Sequence, residues 1–236
     1  MSVTDWTLHG APCKVEGMKD KAKPPYVVTV ANLKGGAGKS TVTVTIACAF
    51  HRAGVKTLIV DADSQGSLRT WAGAGTGNDI PPVPALDGRN IAKDLLRIGA
   101  SYELVVVDTP PRMPAESRIA MVAADLVLIP SEPGATDLWA LKEMMSTVEE
   151  ARAMRPNLLV YVLPNRIDAT NMSDLVRKEL IDLGVPLLKS QLGSRVAFRE
   201  AMAAGCDVVA LDPNSEATRE ARALHRELAK IIKEKR

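Results

Sequence analysis

Five short apolar runs punctuate the chain: YVVTVAN (26–32), VKTLIVDAD (55–63), ELVVVDTPP (103–111), DLVLIPSEP (125–133) and NLLVYVLPNR (157–166). Each is nearly continuous and rich in Val, Leu or Ile, as strands covered on both faces are; half-exposed strands alternate. Helical periodicity lies between them. It runs from Lys39 to Ala53, where Gly54 supplies the stop, and again over 136–155 and 173–183. The piece VPLLKS (185–190) fits an edge strand, and helices over 194–204 and 215–235 complete the chain. The stretch 73–88, rich in Gly, Pro and Asp, reads as an exposed loop or the margin of a helix. Strands alternating with helices predict an α/β fold: a doubly wound, mostly parallel sheet flanked by helices. Residues 1–25 are polar and end at Pro24-Pro25, which predicts an extension ahead of a single domain over 26–236.

Composition narrows the picture. A length of 236 residues suffices for one substantial α/β domain with its own core. No run approaches the roughly 18 apolar residues of a membrane span, and the N-terminal stretch has no apolar signal core. Cys13, Cys48 and Cys206 are odd in number and fit neither a zinc site nor a disulfide framework, so a reduced cytoplasmic setting is expected, with Cys48 packed in the core. A net charge of +2 leaves any attraction to nucleic acid to a local patch, and 3% aromatics argue against a base-stacking surface.

The first strand leads into NLKGGAGKST (32–41), whose end matches the phosphate-binding pattern G-x-x-x-x-G-K-[ST]. The opening glycine of that pattern is replaced by Leu33, and an additional Lys34 follows. Backbone N–H groups of Gly35, Gly36, Ala37, Gly38, Lys39 and Ser40 would point at the β-phosphate, aided by the helix N-terminus. Lys39 would reach the β- and γ-phosphates and the Ser40 hydroxyl would bind Mg²⁺. Asp108 closes an apolar strand, where an acid reaches the magnesium through water. Asp61 and Asp63, at i and i+2, are expected to point the same way, and one of them to orient an attacking water.

Together KGGAGKST, DADSQGS (61–67) and VVVDTPP (105–111) resemble the ParA/MinD family of deviant Walker ATPases, P-loop NTPases with an altered Walker A loop. IPSEPGATDLWAL (129–141) is similar to the corresponding segment of the small ParA (ParF-like) plasmid-partition proteins, which lack an N-terminal helix-turn-helix domain; a 25-residue lead is too short for one. The resemblance implies ATP and Mg²⁺ as cofactors and ATP hydrolysis. It gives Lys34 the role of a signature lysine that crosses a homodimer interface to the partner's nucleotide, and Asp63 that of the acid positioning the water. It places Thr41 near the α-phosphate, Asn165 with neighbouring Arg166 at the adenine, and Pro213 in a loop closing over the base. Ser64 departs from the proline usual at that point.

The terminal helix carries Arg219, Arg222, Arg226, Lys230 and Lys233 on one stripe, opposite Ala221, Leu224, Leu228, Ile231 and Ile232. An unmixed basic stripe favours phosphate contacts, and Arg195 and Arg199 extend it. The resemblance implies non-specific DNA as the surface bound, a nucleoid-associated location, and a ParB-like adaptor that stimulates hydrolysis. A MinD-like membrane role is disfavoured because the tail lacks Phe and Trp. A small-molecule synthetase of the same fold remains the other alternative.

Overall fold

The computed structural model describes residues 24–75, 79–86, 90–132, 135–167, 182 and 184–235. All five apolar runs form strands: β1 (Tyr26–Val30), β2 (Thr57–Asp61), β3 (Leu104–Asp108), β4 (Leu126–Ser131) and β5 (Leu159–Pro164). They pair in parallel in the order β2-β3-β1-β4-β5. The helices are α1 (Lys39–Arg52), α2 (Ser67–Ala74), α3 (Ile91–Ile98), α4 (Pro114–Ala123), α5 (Ala135–Met154), α6 (Val196–Ala203), α7 (Val208–Leu211) and α8 (Glu216–Lys235).

Successive residues of a strand face opposite ways, so continuous apolar runs build two cores. Val28 and Val30 join Ile46 and Phe50 of α1 with Leu224 and Leu228 of α8 on one face. Val27 and Ala31 join Leu95 of α3, Met121 of α4 and Met144 and Val148 of α5 on the other. The turn after α1 follows expectation. Gly54 takes a left-handed φ of 84°, and the Val55 N–H donates to the Phe50 carbonyl at 3.1 Å, a bond that ties off the helix end.

Three expectations need correction. The 185–190 piece is not a full strand. It makes a single parallel bridge, Val162 to Leu187, flanked by the Leu188 N–H donating to the Val162 carbonyl at 2.9 Å. The 73–88 stretch begins, as expected, at the margin of a helix, α2, but it is not an exposed loop throughout: residues 82–86 run along the outer edge of β2, with the Ile59 N–H donating to the Pro82 carbonyl at 3.0 Å. Pro81, Pro82 and Pro84 have no N–H to return, which keeps this edge from becoming a ladder. Helices α2, α3 and α4 fill crossovers in which the periodicity alone had singled out no helix. The expected helix over 173–183 and residues 1–23 lie outside the described residues, apart from Asp182.

Candidate functional site

Strand register decides what meets at the carboxyl edge of the sheet. Val30 pairs with Asp108, and Asp108 with Asp61, so the loop leaving β1 has two acids beside it. Open parallel sheets bind ligands at this edge. Leu33, the residue in place of the first glycine, is buried in the core, and its carbonyl accepts the Arg112 N–H at 3.0 Å. Asn32 braces the loop from below. Its amide donates to the Pro130 carbonyl at 2.7 Å, and its Oδ1 accepts the Lys34 N–H at 2.8 Å. Turning is left to Gly36 and Gly38, at φ 77° and 84°. An anchored entry thus replaces a flexible one. Helix α1 then starts with no capping side chain and no acid in its first turn. Uncapped N–H groups at the positive end of a helix suit an anion.

Lys39 is only 7% exposed, and its Nζ donates to the Lys34 carbonyl at 3.4 Å. Burial lowers its pKa, while the nearby charges of Asp108 and Asp63 act in the opposite direction. The Ser40 hydroxyl donates to Asp108 Oδ2 at 2.7 Å. Asp108 is fully buried and its pKa is pushed up to about 7, chiefly by desolvation; the Ser40 hydrogen bond and Lys39 oppose this shift, and Asp61 and Asp63 add to it. Its second oxygen, Oδ1, is buried without a hydrogen-bond partner among the described residues. A buried carboxylate oxygen left unsatisfied costs about 1–3 kcal/mol. A hard divalent cation with its waters is the kind of group that would satisfy it, so Ser40 and Asp108 fit Mg²⁺.

Asp61, at the end of β2, and Asp63, two residues past it, do not act alike, contrary to the expectation that both face the phosphates. Asp61 is tied back into its own loop: Oδ1 accepts the Asp63 N–H at 3.1 Å and Oδ2 accepts the backbone N–H and Nε of Arg69 at 3.3 and 3.4 Å. Asp63 is half-buried and lies close enough to Lys39 to act on its proton equilibrium. Beyond it opens a cleft of about 490 Å³ lined also by Met113 and Glu116.

On the β5 side Asn165 is 5% exposed and donates from Nδ2 to the Ala37 carbonyl at 2.9 Å, locking it to the loop. A Cβ on Gly38 would meet this nitrogen at 2.4 Å, so only glycine fits there. Thr41, Arg166, Arg195 and Arg199 line the same small cavity. Arg166 adopts a left-handed φ of 52° and donates to Glu132 at 2.8 Å. Pro213 is exposed in the turn before α8 and is not among the residues lining this cavity.

Residues 28–208 match the family described as the CobQ/CobB/MinD/ParA nucleotide binding domain. The chain belongs to this family. A relative in it, maintenance of carboxysome distribution protein A of Halothiobacillus neapolitanus, is 32% identical over 190 residues, covering 79% of this chain and 88% of that protein. The chromosome partitioning protein ParA of Caulobacter vibrioides is 28% identical, covering 67% and 76%. Among solved structures, the septum site-determining protein MinD of Pyrococcus horikoshii, complexed with Mg-ADP, superposes with a TM-score of 0.71 at 18% identity, covering 88% of this chain and 97% of that one. The CobQ/CobB/MinD/ParA match spans all of the loop, the three acids and the Asn165 strand end.

The basic stripe lies outside that match. Its residues are all exposed on α8, while Ala217, Ala221, Leu224, Leu228 and Ile232 are buried. The acids on its flank turn inward. Glu220 accepts the Gly193 N–H at 2.9 Å and two nitrogens of Arg195; Glu227 accepts the N–H groups of Lys189 and Ser190 at 2.9 and 2.7 Å. Arg219 pairs with Glu216, and Lys230 approaches Glu234 at 3.9 Å. Arg222, Arg226 and Lys233 show no ion pair among the described residues. Sequence reasoning missed the braces Asn32 and Arg69. An Asn directly before a glycine loop was the available signal for the first; nothing marked the second.

Proposed function

We propose that the protein is an ATP-dependent switch that dimerises on ATP and Mg²⁺, hydrolyses the nucleotide, and in its dimeric state binds DNA without sequence preference to position a cargo. The observation that carries this reading is the buried Lys39–Ser40–Asp108 cluster, with one unsatisfied carboxylate oxygen, at the mouth of an uncapped helix. Backbone N–H groups of Gly35 to Ser40 hold the β-phosphate, and Lys39 neutralises the β- and γ-oxygens. Ser40 and Asp108 hold Mg²⁺, which supplies charge stabilisation on the phosphate oxygens. Asp63 accepts a hydrogen bond from the water that attacks the γ-phosphate. Lys34 serves the partner's nucleotide across the dimer. The face around it supports this: Lys34, Arg112, Pro114 and Ala140 line a concavity of about 440 Å³, with Trp139 next in sequence to Ala140 and 69% exposed.

Non-specific DNA is favoured over lipid because the apolar face of α8 is already spent on the core, and among the described residues no helix is long and apolar enough to cross a membrane. The stripe would place the protein on the nucleoid, and a ParB-like adaptor would stimulate hydrolysis. The cargo is a plasmid, a chromosome region or a large protein assembly; the carboxysome-distribution relative supports the last. Phosphate release measured alongside sedimentation tests the reading. The expected result is slow, Mg²⁺-dependent turnover and a dimer with ATP that is absent with ADP. A monomer in every nucleotide state contradicts it.

A further inference from the structure

The cavity between Gly38, Asn165 and the 192–199 segment bears on two arginines so far grouped with the DNA stripe. Sheet order puts the loop's two sides apart: Asp108 ends β3 and Asp63 follows β2, whereas Asn165 follows β5 at the opposite edge. Acids that serve a metal and an attacking water mark the distal-phosphate side. The β5 side is therefore where the proximal phosphate and the nucleoside must leave the loop. Arg195 and Arg199 line that side, together with Thr41 at the start of α1 and buried Phe198. Arg195 is held there by Glu220, with Nε and Nη2 donating to Oε1 at 2.9 and 2.6 Å. Arg199 is exposed, and no ion pair engages it among the described residues. The cavity is about 60 Å³, far below the ~300 Å³ and more of small-molecule pockets. Asn165, whose Nδ2 donates to the Ala37 carbonyl, is part of its lining.

Resting on the reading above, we propose that Arg195 and Arg199 are nucleotide-binding residues, not DNA-binding ones: Arg199 supplies the cation that faces the nucleoside end of a purine nucleoside triphosphate, and Arg195, fixed by Glu220, forms the outer wall. The wall is firm because α8 holds its backbone. Glu227 takes the N–H groups of Lys189 and Ser190, and Glu220 takes that of Gly193. A planar guanidinium suits this place, since it stacks on a flat ring.

The test compares ATPγS with inorganic tripolyphosphate, which has no nucleoside, on the full chain by equilibrium dialysis. Arg199→Ala is expected to bind ATPγS about tenfold more weakly than the parent, the size of one charge-assisted or cation–π contact. Its affinity for tripolyphosphate should be unchanged, and at saturating ATPγS it should retain duplex DNA as the parent does. Arg199→Lys should recover part of the loss. The proposal is overturned if Arg199→Ala binds ATPγS like the parent, or if it weakens ATPγS and tripolyphosphate equally. Loss of DNA retention at saturating ATPγS returns Arg199 to the DNA surface. A parent that binds no ATPγS overturns this proposal and the functional reading together; failure of the variant alone overturns only the proposal.

Discussion

At the carboxyl edge of the sheet Lys39 is 7% exposed and Asp108 1%, whereas every Arg and Lys of the α8 stripe lies in solvent. Burial makes the first set interdependent. Asp108 is pushed up to about 7 and Lys39 down, and one carboxylate oxygen has no partner among the described residues, an arrangement that a bound cation and anion would relieve. The stripe owes nothing to the fold. Its ion pairs, Arg219 with Glu216 and Lys230 with Glu234, are exposed and screened by solvent, so they add little to stability. One region is poised for a compact ligand with concentrated charge; the other suits a long polyanion that contacts many weak sites. They also differ in what a mutation can report. Changes at the loop should alter binding and assembly together, and changes on α8 should alter surface binding alone.

The strongest break is Lys39→Ala. Removing the principal cation from a buried anionic cluster is expected to lower ATP affinity by at least about a hundredfold and to abolish the ATP-dependent dimer, as read by nucleotide dialysis and sedimentation. Unchanged affinity would mean the loop is not the phosphate site. Next comes Asp63→Ala. Turnover should fall by roughly 10²–10⁴, the range of a lost general acid–base group, while ATP affinity stays near the parent's and the dimer persists. Full turnover would assign the water to another residue.

A sharper comparison comes from the stripe itself. Arg222, Arg226 and Lys233 carry no ion pair among the described residues, so replacing these three by Glu should weaken DNA binding more than replacing Arg219 and Lys230. The dependence of log affinity on log salt should become shallower by about one per lost contact, with dimerisation unchanged. Equal loss from both sets would contradict the distinction drawn from their pairing.

The smallest effect lies beneath the stripe. His225 packs edge-on against Phe50 with ring centroids 4.6 Å apart, and its pKa is lowered, mainly by burial and then by Arg226. A histidine whose folded pKa is depressed loses stability as pH falls below the unfolded value of 6.5, because the unfolded chain takes the proton more readily. Between pH 7 and pH 5.5 His225 should lower the unfolding temperature by a few degrees at most, against the opposite contribution of Asp108, whose raised pKa favours the folded state as pH falls; relative to the parent's, the unfolding temperature of His225→Gln should therefore be higher at pH 5.5 than at pH 7.

The same contrast explains what the sequence made legible. Buried strands announce themselves by unbroken apolar runs, so β1 to β5 were each anticipated, with ends longer than observed because polar residues such as Asn32 and Asp63 continue past the last sheet pairing. The loop was legible because Gly, Lys and Ser stand at fixed spacing. Side-chain direction was not. Nothing in DADSQGS separates Asp61, bound to Arg69, from Asp63, which lies near Lys39. Helical periodicity set Arg219 to Lys233 on one stripe, but it could not reveal that Glu220 and Glu227 turn inward to hold residues 189–193 and so do not neutralise the stripe. Short crossover helices such as α2, two turns long and ending near a Gly-rich stretch, carry too few periodic positions to be distinguished from loop.

If the nucleotide site governs the exposed stripe, DNA binding must follow the nucleotide state. The most direct measurement is fluorescence anisotropy of a random-sequence duplex with the Asp63→Ala protein, titrated with ATP and Mg²⁺, with ADP and Mg²⁺, and with no nucleotide. Saturable binding is expected with ATP alone, indifferent to duplex sequence and falling steeply as salt rises, since a dimer joins two weak stripes on one polyanion. Binding of the same strength with ADP or without nucleotide would contradict it, because the stripe would then act independently of the site.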